Sequence, residues 1–332
     1  PIELKTIHRQ NPELAKSKAE RKAIKEYKLA VVMARDGLLP ASFDTLNKNG
    51  AITQCGLYEQ QKFIADKYLE LALAGNSTVV VSQTWAELHR VNEQIRGVLK
   101  EKGLIGQNEI TVTVLIRMDL TNAQKRDERF YNSESVVIFN RGIAGIKQGT
   151  HGRLLHVGEH ELFVKAAGMV RPISFEELEN ISICEPREIA LASGDRIQLK
   201  ANAKTADDRH LANGELVTVK RVENNGEIML EDGRILPPDY RQFVRGYAVT
   251  SYAAQGKNAD YVIFSDAAIR AATNRKQWYV TISRGRKGVY IFTTDKQQLR
   301  ENIAHSGHRE LAIELAGERV HPKRRTSHWL RM

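Results

Sequence analysis

The texture of this chain changes twice along its length, and that alone restricts what it can fold into. Residues 14–35 and 57–74 carry helical spacing and stop at Gly37 and Gly75. Residues 78–82 form a short β-branched run, the pattern of a parallel strand buried on both faces. Thr84 and Glu87 follow at capping-box spacing, in which each side chain answers an orphan backbone N–H. The helix they open puts Leu88, Val91, Ile95 and Leu99 on one stripe and ends near Gly103. From about residue 108 to 245 helical periodicity fades after 119–130. Short alternating runs replace it at 136–139, 152–157, 162–165, 196–200, 216–222 and 227–231. Asn224-Asn225-Gly226 and Asp232-Gly233 punctuate them as hairpin turns, because a type I′ turn needs positive φ. From Gly246 the α/β texture returns, with 261–264 and 289–292 reading as buried strands. The pattern predicts an α/β fold: a parallel-sheet domain (1–107 and 246–316) interrupted by a β-rich insert of one or two small barrels (108–245), then a basic tail (317–332).

Composition narrows the partners. The 332 residues suit roughly two domain-sized units. Lys+Arg 50 against Asp+Glu 40 leaves a formal charge of +10. A surplus of that size favours polyanions, since displaced counterions drive binding to phosphate backbones. The two cysteines, Cys55 and Cys184, stand far apart without a partner motif, as reduced thiols in a cytoplasmic protein would. No apolar run is long enough to span a bilayer, and the N-terminus has no signal-peptide core. Opening on Pro1 suits a segment of a longer polypeptide, although a removed initiator Met would leave the same trace. His156 and His160 flank a turn and read as exposed, so no metal site is predicted.

Two motifs in the last third carry the chemistry. One is Gly246-Tyr247-Ala248-Val249-Thr250-Ser251-Tyr252-Ala253-Ala254-Gln255-Gly256-Lys257. The other is Tyr279-Val280-Thr281-Ile282-Ser283-Arg284-Gly285-Arg286. They resemble motifs V and VI of superfamily 1 DNA helicases. Three further segments are similar to conjugative relaxase-helicases of the TraI/TrwC (MobF) family, RecD-like and of superfamily 1B. Leu4-Lys5-Thr6-Ile7-His8-Arg9-Gln10 resembles the motif IV region. Residues 79–84 with 92–96 resemble the next block. Asp119-Leu120-Thr121-Asn122-Ala123-Gln124, with 130–131 and 136–139, resembles that family's insert. Gly194-Asp195-Arg196-Ile197 and Asn213-Gly214-Glu215 fit its barrel. The likeness covers about residues 1–315. It implies a RecA-like second motor domain (2A) carrying an SH3-like insert (2B). Two positions depart from the family: Tyr252 where His is usual, and Asn258 where Thr is usual. No Gly-x-x-x-x-Gly-Lys-Ser/Thr loop occurs in the chain. The acidic Mg²⁺ box of a complete motor is likewise not found.

What the resemblance implies is part of an ATP-dependent 5′–3′ DNA helicase. ATP and Mg²⁺ would be shared with an upstream RecA-like 1A domain, and the chain alone would be inactive as an ATPase. Arg284 and Arg9 are the implied catalytic residues, because phosphoryl transfer needs positive charge on the γ-phosphate as its bond breaks. Arg284 follows an apolar, strand-like run, which predicts a strand end facing the cleft. Gln10, Gln255, Gly256, Lys257 and Ser283 join it as implied ATP contacts. Thr84, Asn92, Arg96, Thr250, Ser251 and Tyr252 are the implied contacts to single-stranded DNA, with Trp85 a candidate stacking ring. A type IV secretion coupling protein is a possible further partner in a bacterial cytoplasm. Two other readings stand beside this one. One is a non-catalytic module, with a degenerate helicase fold, for DNA binding or secretion recognition. The other is a fragment of an exonuclease V α-subunit-like helicase, against which the Leu120–Gln124 block speaks.

Overall fold

A computed structural model describes residues 8–143, 145–251, 253–254, 259–266 and 273–304. Five parallel strands form the central sheet, in the order Ile52–Gln54, Gly285–Thr293, Ala259–Asp266, Thr78–Ser82, Ala248–Thr250. Among the described residues six helices accompany it: α1 (Lys18–Arg35), α2 (Leu39–Lys48), α3 (Leu57–Leu73), α4 (Trp85–Glu101), α5 (Arg275–Ile282) and α6 (Lys296–Asn302). Successive strand side chains point to opposite faces. Val79, Val81, Val262, Phe264 and Ile291 therefore enter one core with α1, α2, α5 and α6. Val80, Ile263 and Phe292 enter a second core with α3 and α4. Two apolar faces explain why these strands read as continuous apolar runs, and together they make a RecA-like three-layer α/β domain.

The stretch between α4 and Ala248 is antiparallel β-structure. Six strands pair in the order Ile110–Met118, Ile181–Leu191, Val136–Phe139, His151–Val157, Glu161–Ala166, Met169–Ser174. Five more run Ile235–Leu236, Ile228–Leu230, Leu216–Val222, Arg196–Leu199, Phe243–Arg245. Each sheet has its own core, one around Phe139, Leu162 and Ile173, the other around Ile197, Val219 and Phe243. The paired strands Ile110–Met118 and Ile181–Leu191 stitch the two together. Ile181 and Ile183 belong to the first core, and Val112, Val114 and Leu191 to the second. Gly226 and Gly233 turn the hairpins with φ of 86° and 78°.

Several local expectations need correcting. The apolar run at 279–283 is no strand; it is the last turns of α5 and its cap. Asn274 starts that helix with a reciprocal capping box to Gln277, so the residues after it wind as a helix despite their β-branched content. The Thr84–Glu87 box is half-formed. Thr84 accepts from the Glu87 N–H at 3.3 Å, but the Glu87 carboxylate turns inward to the hydroxyls of Ser82 and Ser265. Residues 119–130 hold only two single 3₁₀ turns, Gln124–Arg126 and Glu128–Phe130. The structure adds α2 and the strands Ile110–Met118, Met169–Ser174 and Ile181–Leu191.

Candidate nucleotide cleft and nucleic-acid interface

The implied functional residues collect at opposite edges of the parallel sheet. Arg284 sits at the amino edge, in the joint between α5 and the strand that begins at Gly285. Its backbone N–H bonds the Thr281 carbonyl at 3.2 Å, and its Nε donates to the Val280 carbonyl at 3.0 Å. The stem is thus fixed to the helix end while the rest of the guanidinium stays available. A segment from the other end of the chain locks this joint. Arg9 donates to the Ser283 carbonyl at 2.6 Å. Gln10 is 0% exposed, and its Nε2 donates to the carbonyls of both Ser283 and Gly285. From α1 the Tyr27 hydroxyl donates to the Ile282 carbonyl. Gly285 is required by crowding here: a Cβ would stand 2.7 Å from the Tyr27 hydroxyl. Ser283 is buried, with its hydroxyl donating to Val280.

The electrostatics of the joint are one-sided. Burial pulls the Arg284 pKa down, and the neighbouring positive charge of Arg9 pulls it further, with only Tyr279 opposing. Among the described residues no carboxylate forms an ion pair with either arginine. Two guanidiniums held together without an anion are mutually destabilising, and an anion such as phosphate relieves the repulsion.

The carboxyl edge holds the other group. Thr250 ends its strand; its hydroxyl accepts from Ala253 N–H at 3.3 Å, and its carbonyl from Ala254 N–H at 2.9 Å. Ser251 is buried. Tyr252, Gln255, Gly256 and Lys257 lie outside the described residues. Thr84 is exposed at the start of α4 and Trp85 is 47% exposed. Beside them Glu87 is buried between the ends of two strands. Burial raises its pKa, against the hydrogen bonds from Ser265 and Ser82 and the charge of Arg90; Asp266 adds to the rise.

Asn92 and Arg96 are placed differently from a DNA-facing surface. Asn92 is 2% exposed and spends its whole amide inside the protein. It donates to the carbonyls of Leu88 and Ala248 at 2.9 and 3.1 Å and accepts from the N–H groups of Tyr247 and Ala248, both at 2.9 Å. It thereby satisfies the open side of the sheet's edge strand. Arg96 is 8% exposed and forms a two-pronged pair with Asp195 at 2.8 and 2.9 Å, plus an ion pair to Glu109 at 2.7 Å. Asp195 also accepts from the Tyr247 hydroxyl and the Ala192 N–H, each at 2.8 Å. This seam fastens the insert to the parallel-sheet domain. The spacing hinted at it: residues 88, 92 and 96 stand four apart, so Asn92 and Arg96 flank the buried stripe.

Sequence reasoning missed the cleft next to Trp85. It opens between the first turn of α4 and both sheets of the insert, with a volume of about 620 Å³. Its walls come from distant segments that no single motif connects. Among the described residues there is no group of His, Cys, Asp and Glu able to hold a metal, and no helix long and apolar enough to cross a membrane.

No family model matches the chain. It is similar to the multifunctional conjugation protein TraI of Escherichia coli, 22% identical over 242 residues that cover 68% of this chain. The TraI of strain K12 is 23% identical over the same extent. The chain spans 13% of the length of these relatives. A Pif1 helicase from Bacteroides, solved with ADP-AlF3 and single-stranded DNA, aligns with 89% of this chain and 52% of its own. Its identity is 13% and its TM-score 0.31. The chain is thus a weak relative of TraI, and its RecA-like class rests on its own sheet topology.

Proposed function

We propose that this chain is the arginine-bearing half of a superfamily 1B DNA helicase motor, part of a conjugative relaxase-helicase that unwinds plasmid DNA 5′ to 3′. The observation that carries the reading is the pair Arg9 and Arg284, brought together from the two ends of the chain, with no carboxylate paired to either among the described residues. Such a pair fits a triphosphate held by a neighbouring RecA-like domain with its Mg²⁺. The bound nucleotide supplies the phosphoryl bond whose cleavage drives movement. Arg284 would neutralise charge that develops on the transferring group, and Arg9 would share that charge while tying down Ser283. Gln10 acts here by holding the joint, since its Nε2 is spent on two carbonyls. Thr84 and Thr250 would face single-stranded DNA at the other edge of the sheet, joined by Tyr252 from outside the described residues, whereas Ser251 is buried as Asn92 and Arg96 are. Gln255, Gly256 and Lys257, outside the described residues, would carry nucleotide state to the strand. The TraI likeness and the +10 charge support a DNA partner.

The test uses the purified chain. It should bind single strands with an affinity that falls steeply with salt, and should turn over Mg-ATP more slowly than about 1 s⁻¹, the low end of ordinary enzyme rates. Salt-independent binding would contradict the DNA reading. Faster turnover would contradict the dependence on a second motor domain and favour a self-sufficient enzyme.

A further inference from the structure

The cleft beside α4 has the features of a built site. Trp85 is the first residue of α4, yet 47% of it is exposed. His89 lies one turn on, with ring centroids 6.4 Å apart. Lys200, from the insert, holds its Nζ 5.1 Å from the centre of the Trp85 ring. Burial lowers the Lys200 pKa, against the pull of Asp119. Among the described residues neither Lys200 nor Arg117, which also lines the cleft, has a carboxylate within ion-pair distance. Two amides on the walls, Gln148 and Gln242, have no side-chain hydrogen-bond partner among the described residues. A half-exposed indole with Lys200 over it, a second cation, Arg117, and two amides therefore face one volume of about 620 Å³ that Asp119 also lines, within the range of ligand pockets, about 300–1,000 Å³.

We propose that this cleft receives one unstacked base of a single nucleic-acid strand, stacked on Trp85, with its phosphate facing Lys200 and Arg117. The inference rests on the reading of the chain as a single-strand binder and names the place where a base is held. Each element of the cleft matches one part of a nucleotide. The indole offers a π-face that any base can use. The amides both donate and accept, so they serve base edges of either polarity and give little sequence preference. The two cations outnumber the one carboxylate on the walls, Asp119, and take the backbone. Duplex DNA does not fit the same chemistry, because its bases are already stacked on each other. A base held here bridges the parallel-sheet domain, through α4, and the insert, through Lys200.

The test compares the full chain with Trp85→Ala, Trp85→Phe and Lys200→Ala on two probes: oligothymidylate, and an oligonucleotide of the same length whose sugars carry no bases. Trp85→Ala should weaken oligothymidylate binding roughly 5- to 100-fold, the loss expected when one stacking ring is removed. It should leave the abasic probe unaffected, and Trp85→Phe should recover most of the loss. Lys200→Ala should reduce the slope of log affinity against log salt by about 0.7, one phosphate's worth on a single strand. Equal affinity of Trp85→Ala and wild type for oligothymidylate overturns the proposal, as does an equal loss on both probes. If Trp85→Ala does not fold, Lys200→Ala decides: an unchanged slope overturns the proposal. Failure of the wild-type chain to bind oligothymidylate at all sinks the single-strand reading itself, a distinct result.

Discussion

The two edges of the parallel sheet are built on opposite principles. At the amino edge the side chains that matter are tied down. Arg9, Gln10 and Tyr27 all donate to backbone carbonyls between Ile282 and Gly285, and Arg284 is tethered through its own Nε. At the carboxyl edge, around Trp85, the rings, amides and ammonium face an open cleft and meet few partners. A rigid joint suits a reaction in which a cation must stand where charge develops, since preorganised charge need not rearrange during the step. A roomy, adaptable cleft suits a strand of changing sequence. The difference teaches that positive charge alone does not mark a site here. Arg96 is as cationic as Arg284, yet against its burial the carboxylates of Asp195 and Glu109 raise its pKa and make it a fastener, while burial and the charge of Arg9 lower that of Arg284.

The contrast is most exposed at Arg284. In a polypeptide that joins this chain to a nucleotide-holding domain, Arg284→Lys should cut ATP turnover about a thousandfold, the lower end of what arginine fingers contribute. A planar fork matched to phosphate oxygens becomes a point charge that cannot reproduce it. Steady-state hydrolysis measures this directly, and a loss of less than about tenfold would remove Arg284 from the chemistry.

Next in size is the fastening seam. Arg96→Ala strands the buried Asp195 carboxylate and should destabilise the chain by about 3 kcal/mol, the low end for breaking a buried pair. The low end applies because the Tyr247 hydroxyl still donates to Asp195, and Arg245 stands 3.8 Å away. Urea denaturation checks it. A change below about 0.5 kcal/mol would return Arg96 to the surface residues and reopen its role as a DNA contact.

A smaller effect separates Glu87 from an ordinary capping residue. Burial holds its pKa above the usual carboxylate range, so the folded chain binds that proton more tightly than the unfolded chain. Its stabilising contribution is complete below the unfolded value, about 4.3, and fades as pH rises through the folded value. Glu87→Gln cannot ionise, so relative to wild type it should gain stability between pH 4 and pH 7. Denaturation midpoints that run parallel at both pH values would show Glu87 to be freely solvated.

Much of this was legible in the sequence where a local rule had one solution. The β-branched run Thr78–Ser82 became a strand with the expected bounds, because β-branched residues at that density suit a strand covered on both faces. The two Asn/Asp-Gly turns fell where positive φ was needed. The long strand Ile181–Leu191 was not legible. It serves two cores at its ends, while its middle, around Pro186, Arg187 and Glu188, is partly solvated, so no single alternation runs through it. The run at 279–283 misled in the other direction: composition favoured a strand, and the Asn274 cap decided for a helix. For the candidate sites, motif spacing led to Arg284 and Arg9 but could not show that the terminal segment clamps the joint. The Trp85 cleft, drawn from segments far apart in the chain, exists only in three dimensions.

The central claim is that the nucleotide and the strand are served by different residues at opposite edges of the sheet. The most direct measurement is the affinity of Arg284→Lys for oligothymidylate, taken beside that of Trp85→Ala at one salt concentration. The account expects Arg284→Lys to bind within about twofold of wild type, since the number of phosphate-neutralising charges is unchanged, while Trp85→Ala binds at least fivefold more weakly. If Arg284→Lys loses the strand and Trp85→Ala keeps it, the two edges have been assigned the wrong way round.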